Sequence, residues 1–320
     1  MVEYLQDHTT LSTSDTDEAR QAVAAKFCDH CLHVEHGRLN MRHSHLATTH
    51  TSFNYLRYGA RTNINPGSLG SFFLLQIPIH GAARVRHRGQ DIDSDRNTAT
   101  VLNPDRDTTM EWGETCEKIL VQFDQDFVTD VACDLVGAPL PGPIRFAPLV
   151  DLMIPQGRKL RNVSLSCIQA IDNKKLFVGQ DLNSLKAERD LVATLLLNQP
   201  SNITHLLNAA KPGTTRHLRQ AIAYIHANLQ EAISISDLAV AAGLGVRSLQ
   251  LTFRHNLGRS PMTVLRDTRL DIAHYHLQRH CDPQGVSETA FFCGYSHLGR
   301  FSRDYKLRFG LSPSQTRQHH

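Results

Sequence analysis

A chain of 320 residues, 41% hydrophobic and 20% charged, can bury one or two sizeable cores and is neither disordered nor fibrous. No stretch approaches the ~18 consecutive apolar residues of a membrane helix, and the polar start from Met1 to Thr16 offers no apolar core for a secretory signal, so a cytoplasmic chain without a membrane partner is expected. Seven cysteines without scaffold-like spacing point to reduced thiols. The formal charge of +3 hides an asymmetry across Lys211-Pro212-Gly213. Residues 1–210 carry 20 Lys+Arg against 24 Asp+Glu, net −4, whereas residues 211–320 carry 14 against 7, net +7. A basic second half suits a polyanion, nucleic acid above all, although a solvated surface would give the same balance.

The first half reads as strands and then helices. Phe73, Leu75, Ile77 and Ile79 alternate, Gly81 breaks the run, and Ala83, Val85 and His87 alternate again before Gly89, as in a hairpin. Thr100 to Asn103 and Ile119 to Phe123 add short apolar runs separated by turn residues, which argues for a barrel or sandwich. From Asp124 the period becomes helical at Phe127, Val131 and Leu135. Asp181 to Asn198 carries Leu182, Leu185, Leu191, Val192, Leu195 and Leu196, more apolar surface than one face needs, for packing on the strands or for a dimer contact.

The second half contains an internal repeat. A shift of 52 positions aligns Leu249 with Phe301, Phe253 with Tyr305, Leu257 with Phe309, Gly258 with Gly310, Ser260 with Ser312 and Pro261 with Pro313. In the first copy Ser234 caps a short helix with Asp237 at its third position, Leu238, Ala239 and Ala242 face inward, and Gly243 permits the turn. The second copy shows Val286, Ala290 and Cys293 before Gly294. A short helix, a glycine turn and a second amphipathic helix form the helix-turn-helix pattern. Ser260 and Pro261 start the helix that joins the copies.

With Leu249, Phe253, Phe301, Tyr305 and Phe309 in the core, the opposite faces are defined. They present Arg247, Ser248, Gln250, Leu251 and Arg254 in the first copy, and Gly299, Ser302, Arg303 and Lys306 in the second, with His297 and Arg300 near its start. Arg and Gln read guanine and adenine edges, while Lys, Ser and further Arg hold phosphates. A joining helix of about 18 residues spans ~27 Å, close to the ~34 to 36 Å between successive major-groove faces. One chain is then expected to read an asymmetric half-site of double-stranded promoter DNA.

At these residues the sequence resembles the AraC/XylS family of transcription regulators. The strings ISISDLAVAAGLGVRSLQLTFRHNLGRSP and VSETAFFCGYSHLGRFSRDYKLRFGLSPSQTR carry the resemblance. In the first half GRLNMRH (Gly37 to His43), RYG (Arg57 to Gly59), LNPD (Leu102 to Asp105) and CEKILVQF (Cys116 to Phe123) look like the XylS/BenR/AntR-like group of aromatic-acid catabolism activators, as does HLGRF (His297 to Phe301). The resemblance implies an α+β chain. Residues 20–200 would form an effector-binding and dimerisation domain, a cupin-like β-barrel plus helices. Residues 201–215 would be a linker and 216–320 an all-α DNA-binding domain, with helix-turn-helix motifs at about 235–256 and 286–309. It further implies a homodimer, contact with RNA polymerase, and a small aromatic carboxylate effector such as benzoate or anthranilate that releases or reorients the basic half. Three departures stand out: Gly245 replaces the usual serine cap, Leu251 sits where a polar residue is common, and Thr316-Arg317 replaces a Tyr-Arg pair.

Other chemistry has weaker support. Cys28, Cys31, His33 and His36 cluster without the loop that separates ligand pairs in most structural zinc sites, and His43, His45 and His50 lack matching partners, so neither metal nor cofactor is expected. For the effector carboxylate, Arg38, Arg42 and Arg57 fall in the resembling strings, whereas Arg84, Arg86 and Arg88 alternate along one strand and face solvent. Nucleophile elbows, phosphate loops and paired carboxylates are missing, which argues against an enzyme. The alternatives are a regulator answering a non-aromatic effector or a protein partner, a repressor, or a barrel enzyme tethered to DNA.

Overall fold

The computed structural model of the protein describes residues 4–87, 89–105, 107–140, 142–177, 182–210, 216–277 and 285–318. Arg88, Asp181 and Lys211-Pro212-Gly213 lie outside the described residues. Short β-branched and aromatic runs divided by turn residues give the strands of the first half. These are β1 (Thr9–Thr13), β2 (Cys31–His36), β3 (Met41–Ala47), β4 (Thr51–Arg57), β5 (Arg61–Gly67), β6 (Phe72–His80), β7 (Ala83–His87), β8 (Gln90–Ser94), β9 (Thr98–Leu102), β10 (Thr108–Trp112), β11 (Glu117–Asp124) and β12 (Leu149–Asp151). Helix α1 is Thr16–Ala24, and α2 (Gln125–Val136), α3 (Pro155–Asp172) and α4 (Leu182–Asn198) follow β11.

The chain divides into two compact units, residues 1–131 with 145–201, and residues 132–144 with 202–320. In the first unit the strands form two antiparallel sheets, ordered β1-β3-β4-β11-β6-β9-β12 and β2-β5-β10-β7-β8. The α+β class holds. The closed barrel does not: each sheet keeps its own edges, β1 and β12 in one and β2 and β8 in the other, so the architecture is a sandwich. Met41, Leu56, Leu74, Leu102 and Leu120 of the larger sheet, with Tyr58 just after β4, meet Ile64, Val85, Met110 and Trp112 of the smaller one. The outer face of the larger sheet is also buried. Phe53 packs against Phe177 and Phe73 against Phe146, with ring centroids 5.4 and 5.1 Å apart. That is why β6 is apolar on both faces rather than alternating cleanly.

Among the helices of this unit, α4 buries Leu191, Val192, Leu195 and Leu196, while Leu182 remains 84% exposed. Its buried Glu188 accepts bonds from the backbone N–H groups of His50 and Thr51 and from the hydroxyls of Thr48 and Thr51, and so closes the β3–β4 turn. Arg84 and Arg86 of β7 are exposed and pair with Asp93 and Asp91. The six described cysteines are free thiols, and no helix among the described residues is long and apolar enough to cross a membrane.

The second unit is helical: α5 (Thr204–Ala210), α6 (Arg216–Ala227), α7 (Ile235–Ala242), α8 (Val246–Leu257), α9 (Pro261–Leu277), α10 (Val286–Phe292), α11 (Leu298–Phe309) and α12 (Pro313–Gln318). The repeat shows in its punctuation. Gly258 and Gly310 end α8 and α11 in the left-handed conformation, and Ser260 and Ser312 accept from the N–H groups of Thr263 and Gln315 to start α9 and α12.

Candidate DNA interface

Local signals set the entry to each recognition helix. The Ser234 hydroxyl accepts from the Asp237 N–H while the Ser234 N–H donates to the Asp237 carboxylate, a capping box. The Ser234 hydroxyl, which also donates to that carboxylate at 2.7 Å, and then the Ser234 N–H hold this carboxyl below its usual range. Gly243, at φ 64°, turns the chain toward α8, whose N-cap is Gly245. In the second copy the Glu288 carboxylate accepts from the Gly285 N–H at the start of α10, and Gly294, at φ 76°, makes the corresponding turn.

Helix α8 buries Leu249 and Phe253, which leaves Arg247, Ser248, Gln250, Leu251 and Arg254 all exposed on the other side. Helix α11 buries Phe301, Asp304 and Tyr305 and exposes Gly299, Arg300, Arg303 and Lys306; His297 is exposed at its N-cap and Ser302 is half-buried. A Cβ at Gly299 or at Gly245 would meet nothing within 4 Å, so packing does not demand either glycine.

Three features that sequence reasoning missed hold α11 and the joining helix α9 in place. Buried Asp304 lies 3.8 Å from the Arg300 guanidinium and 3.5 Å from that of Arg303, steering the stems of two exposed cations. Arg308 donates to both carboxylate oxygens of Asp271 on α9 at 2.8 Å, and its guanidinium lies 3.4 Å from Asp267. Arg269 of the same helix donates to the carbonyls of Leu229 and Glu231 after α6, so α9 ties both copies together. At 17 residues it spans ~26 Å. An acidic residue inside a basic helix gave no periodic signal. The 37-residue separation of Arg308 and Asp271 lies beyond any local pattern.

The arginines expected at an effector lie elsewhere than the space between the sheets. Arg38 is exposed in the turn before β3. Arg42 and Arg57 are cross-strand neighbours on the face of the larger sheet opposite Met41 and Leu56. The Arg42 guanidinium lies 5.9 Å from the Tyr55 ring centre and donates to the Thr9 hydroxyl at 3.2 Å, and the Tyr55 hydroxyl donates to Glu117 at 2.9 Å. Burial and the Glu117 carboxylate push the Tyr55 phenol up. His43 and His45 both reach Asn54 Oδ1, at 3.1 and 2.7 Å, and His50 stacks on Phe127. Among the described residues no set of three His, Cys, Asp or Glu is disposed to hold a metal ion.

Comparison with known proteins gives two family matches, an AraC-binding-like domain over residues 19–197 and a helix-turn-helix domain over residues 238–319. This chain belongs to the AraC/XylS family. As an AraC/XylS regulator it acts in transcription through DNA rather than as an enzyme. Similar proteins include a probable thc operon regulatory protein of Rhodococcus erythropolis, 26% identical over 96% of this chain and 94% of that protein. An XylDLEGF operon transcriptional activator of Pseudomonas putida is 28% identical over 82% and 79%. Among solved structures, a probable AraC family transcriptional regulator from Rhodopseudomonas palustris is 37% identical over 33% of this chain and 97% of that one, with a TM-score of 0.32.

Proposed function

We propose that this regulator activates a catabolic operon in response to a small aromatic carboxylate, binding as a homodimer to two direct half-sites and contacting RNA polymerase. The observation that carries the DNA side is the pair of recognition helices, each with an aromatic or leucine face buried and a cationic face exposed. On this reading Arg247, Gln250, Leu251, Arg254, Arg300 and Arg303 face base edges, Leu251 against a thymine methyl. Ser248, His297, Ser302 and Lys306 hold phosphate, and Gly299 lets the backbone approach it. The domain limits 20–200 and 216–320, joined through 201–215, belong to the same reading. The operon regulators among its relatives support the effector class. Effector binding shifts the population toward the DNA-bound dimer.

Nuclease protection on the promoter region, with the full chain and its variants, tests the DNA side. Arg247→Ala and Arg303→Ala are each expected to cost ~1 to 3 kcal/mol of operator binding, against less for a phosphate contact such as Lys306→Ala. Unchanged affinity in both arginine variants would remove these faces from the interface.

A further inference from the structure

Two Lys or Arg side chains among the described residues are more than nine-tenths buried, and they are provided for very differently. Arg145 has a carboxylate, Asp105, at 3.0 Å. Lys118 on β11 has none: its ammonium donates to Gln76 Oε1 at 2.8 Å and lies 4.7 Å from the Trp112 ring centre. A buried cation served by one neutral oxygen and one ring is under-compensated, since burial without a counter-charge is among the costliest placements for an ion.

The neighbours on the facing sheet share this incompleteness. The indole N–H of Trp112, 2% exposed, has no hydrogen-bond partner, and neither has the hydroxyl of fully buried Thr62. Thr62 is the cross-strand partner of Trp112, so the two unsatisfied groups sit side by side on the smaller sheet, opposite the lysine. The surroundings are apolar and aromatic: Tyr58 packs edge-on to Trp112 at 5.4 Å, with Leu56, Leu120 and Met110 in the same core.

We propose that Lys118, Trp112 and Thr62 form an anion site between the two sheets that takes the carboxylate of a small, flat monocarboxylic acid. The site deepens the effector reading above, on which it rests, and moves the cationic partner from the outer-face arginines to an inner-face lysine. The indole N–H can only donate, so the ligand group must accept. One ammonium with two neutral polar groups matches a single negative charge, whereas a phosphate dianion would leave charge uncompensated. The aromatic walls suit a planar apolar body. Met110, unbranched and adaptable, is the neighbour displaced to make room. Burial pushes the Lys118 ammonium down to about 8, so near neutral pH it is still largely charged and an arriving carboxylate supplies the missing counter-ion.

Trp112 is the single tryptophan of the chain, so indole emission reports on this site alone. The full-length protein is titrated with benzoate and with the neutral isostere benzamide, following emission and, in parallel, the thermal midpoint. The expected result is a saturable emission change with benzoate, none with benzamide, and a roughly tenfold or greater weakening in Lys118→Met. If that variant fails to fold, the lysine side-chain carbon resonances of wild-type protein serve instead, and the Lys118 signal should move on benzoate addition. A benzoate-dependent rise in thermal midpoint with unmoved Trp112 emission, or equal benzoate affinity in Lys118→Met, overturns this site and leaves the acid-effector reading intact. Loss of benzoate binding in Arg42→Met but not in Lys118→Met would also overturn it, returning the site to the outer face. No response of either signal to benzoate, anthranilate or salicylate overturns both.

Discussion

Lys118 illustrates how one residue can set function against stability. In the chain segment CEKILVQF its apolar neighbours Ile119, Val121 and Phe123 point to the outer face of the larger sheet, while Lys118 and Leu120 point inward. The ammonium falls from its ordinary 10.5 to about 8, so protonation is less favourable in the folded state than in the unfolded one. At neutral pH the folded protein carries that penalty, on the order of 3 kcal/mol at 1.36 kcal/mol per pKa step. Replacing the ion by an apolar side chain of similar length removes it, at the cost of about 1 kcal/mol for the hydrogen bond lost by Gln76. Lys118→Met is therefore expected to raise the thermal midpoint of the N-terminal unit in the absence of ligand. A lowered midpoint, measured by calorimetry, would show that the Gln76 and Trp112 contacts outweigh the burial of charge.

At the scale of elements, the helices of the basic half were legible because their signals are local: Ser234 and Asp237, Gly243, Gly258, Ser260 and Pro261 each act within one turn. The two turn glycines nevertheless differ in a way spacing cannot reveal. Both are left-handed, at φ 64° for Gly243 and 76° for Gly294. A Cβ at Gly243 would meet only His217 Nδ1, at 3.8 Å, whereas one at Gly294 would come within 2.5 Å of the Leu229 carbonyl oxygen and 2.7 Å of the Arg269 guanidinium. That guanidinium is not free to retreat, since it holds the Leu229 carbonyl at 2.9 Å. Gly243→Ala is thus expected to cost ~1 kcal/mol, the left-handed penalty alone, and Gly294→Ala upward of ~2 kcal/mol, with steric overlap added. Denaturant unfolding of the C-terminal unit would measure both, and equal costs would refute the argument. The strands were less legible. Sandwich and barrel share the same short alternating runs and differ only in whether the edge strands pair, which is decided between distant segments. Glu188 was hidden for a related reason: on a helix it reads as a solvated charge until the β3–β4 turn is brought against it.

On the scale of the whole molecule, both units carry neutral histidines, buried in the N-terminal unit and half-buried in the C-terminal one, and this fixes the sign of their response to acid. In the C-terminal unit His205 and His226 stack with ring centroids 6.0 Å apart, and both His226 nitrogens are buried without a partner. Burial pushes His205 down to about 3, with His226, Arg259 and Arg308 adding to the effect, and His226 down to about 4. In the N-terminal unit burial takes His43 to about 4 despite its bond to Asn54. Each folded value lies below the ordinary 6.5, so between pH 6.5 and about 4 the unfolded chain binds protons that the folded chain refuses. Stability is then fully present above pH 6.5 and lost as pH falls through that window. The thermal midpoints of both units are expected to drop as pH is lowered from 7 to about 5, before most carboxylates titrate. His226→Phe keeps a flat ring against His205 and removes one titrating group, so it should flatten the slope for the C-terminal unit and leave that of the N-terminal unit unchanged. A midpoint that holds constant over this range in the wild-type chain would mean that protons reach these rings without unfolding either unit.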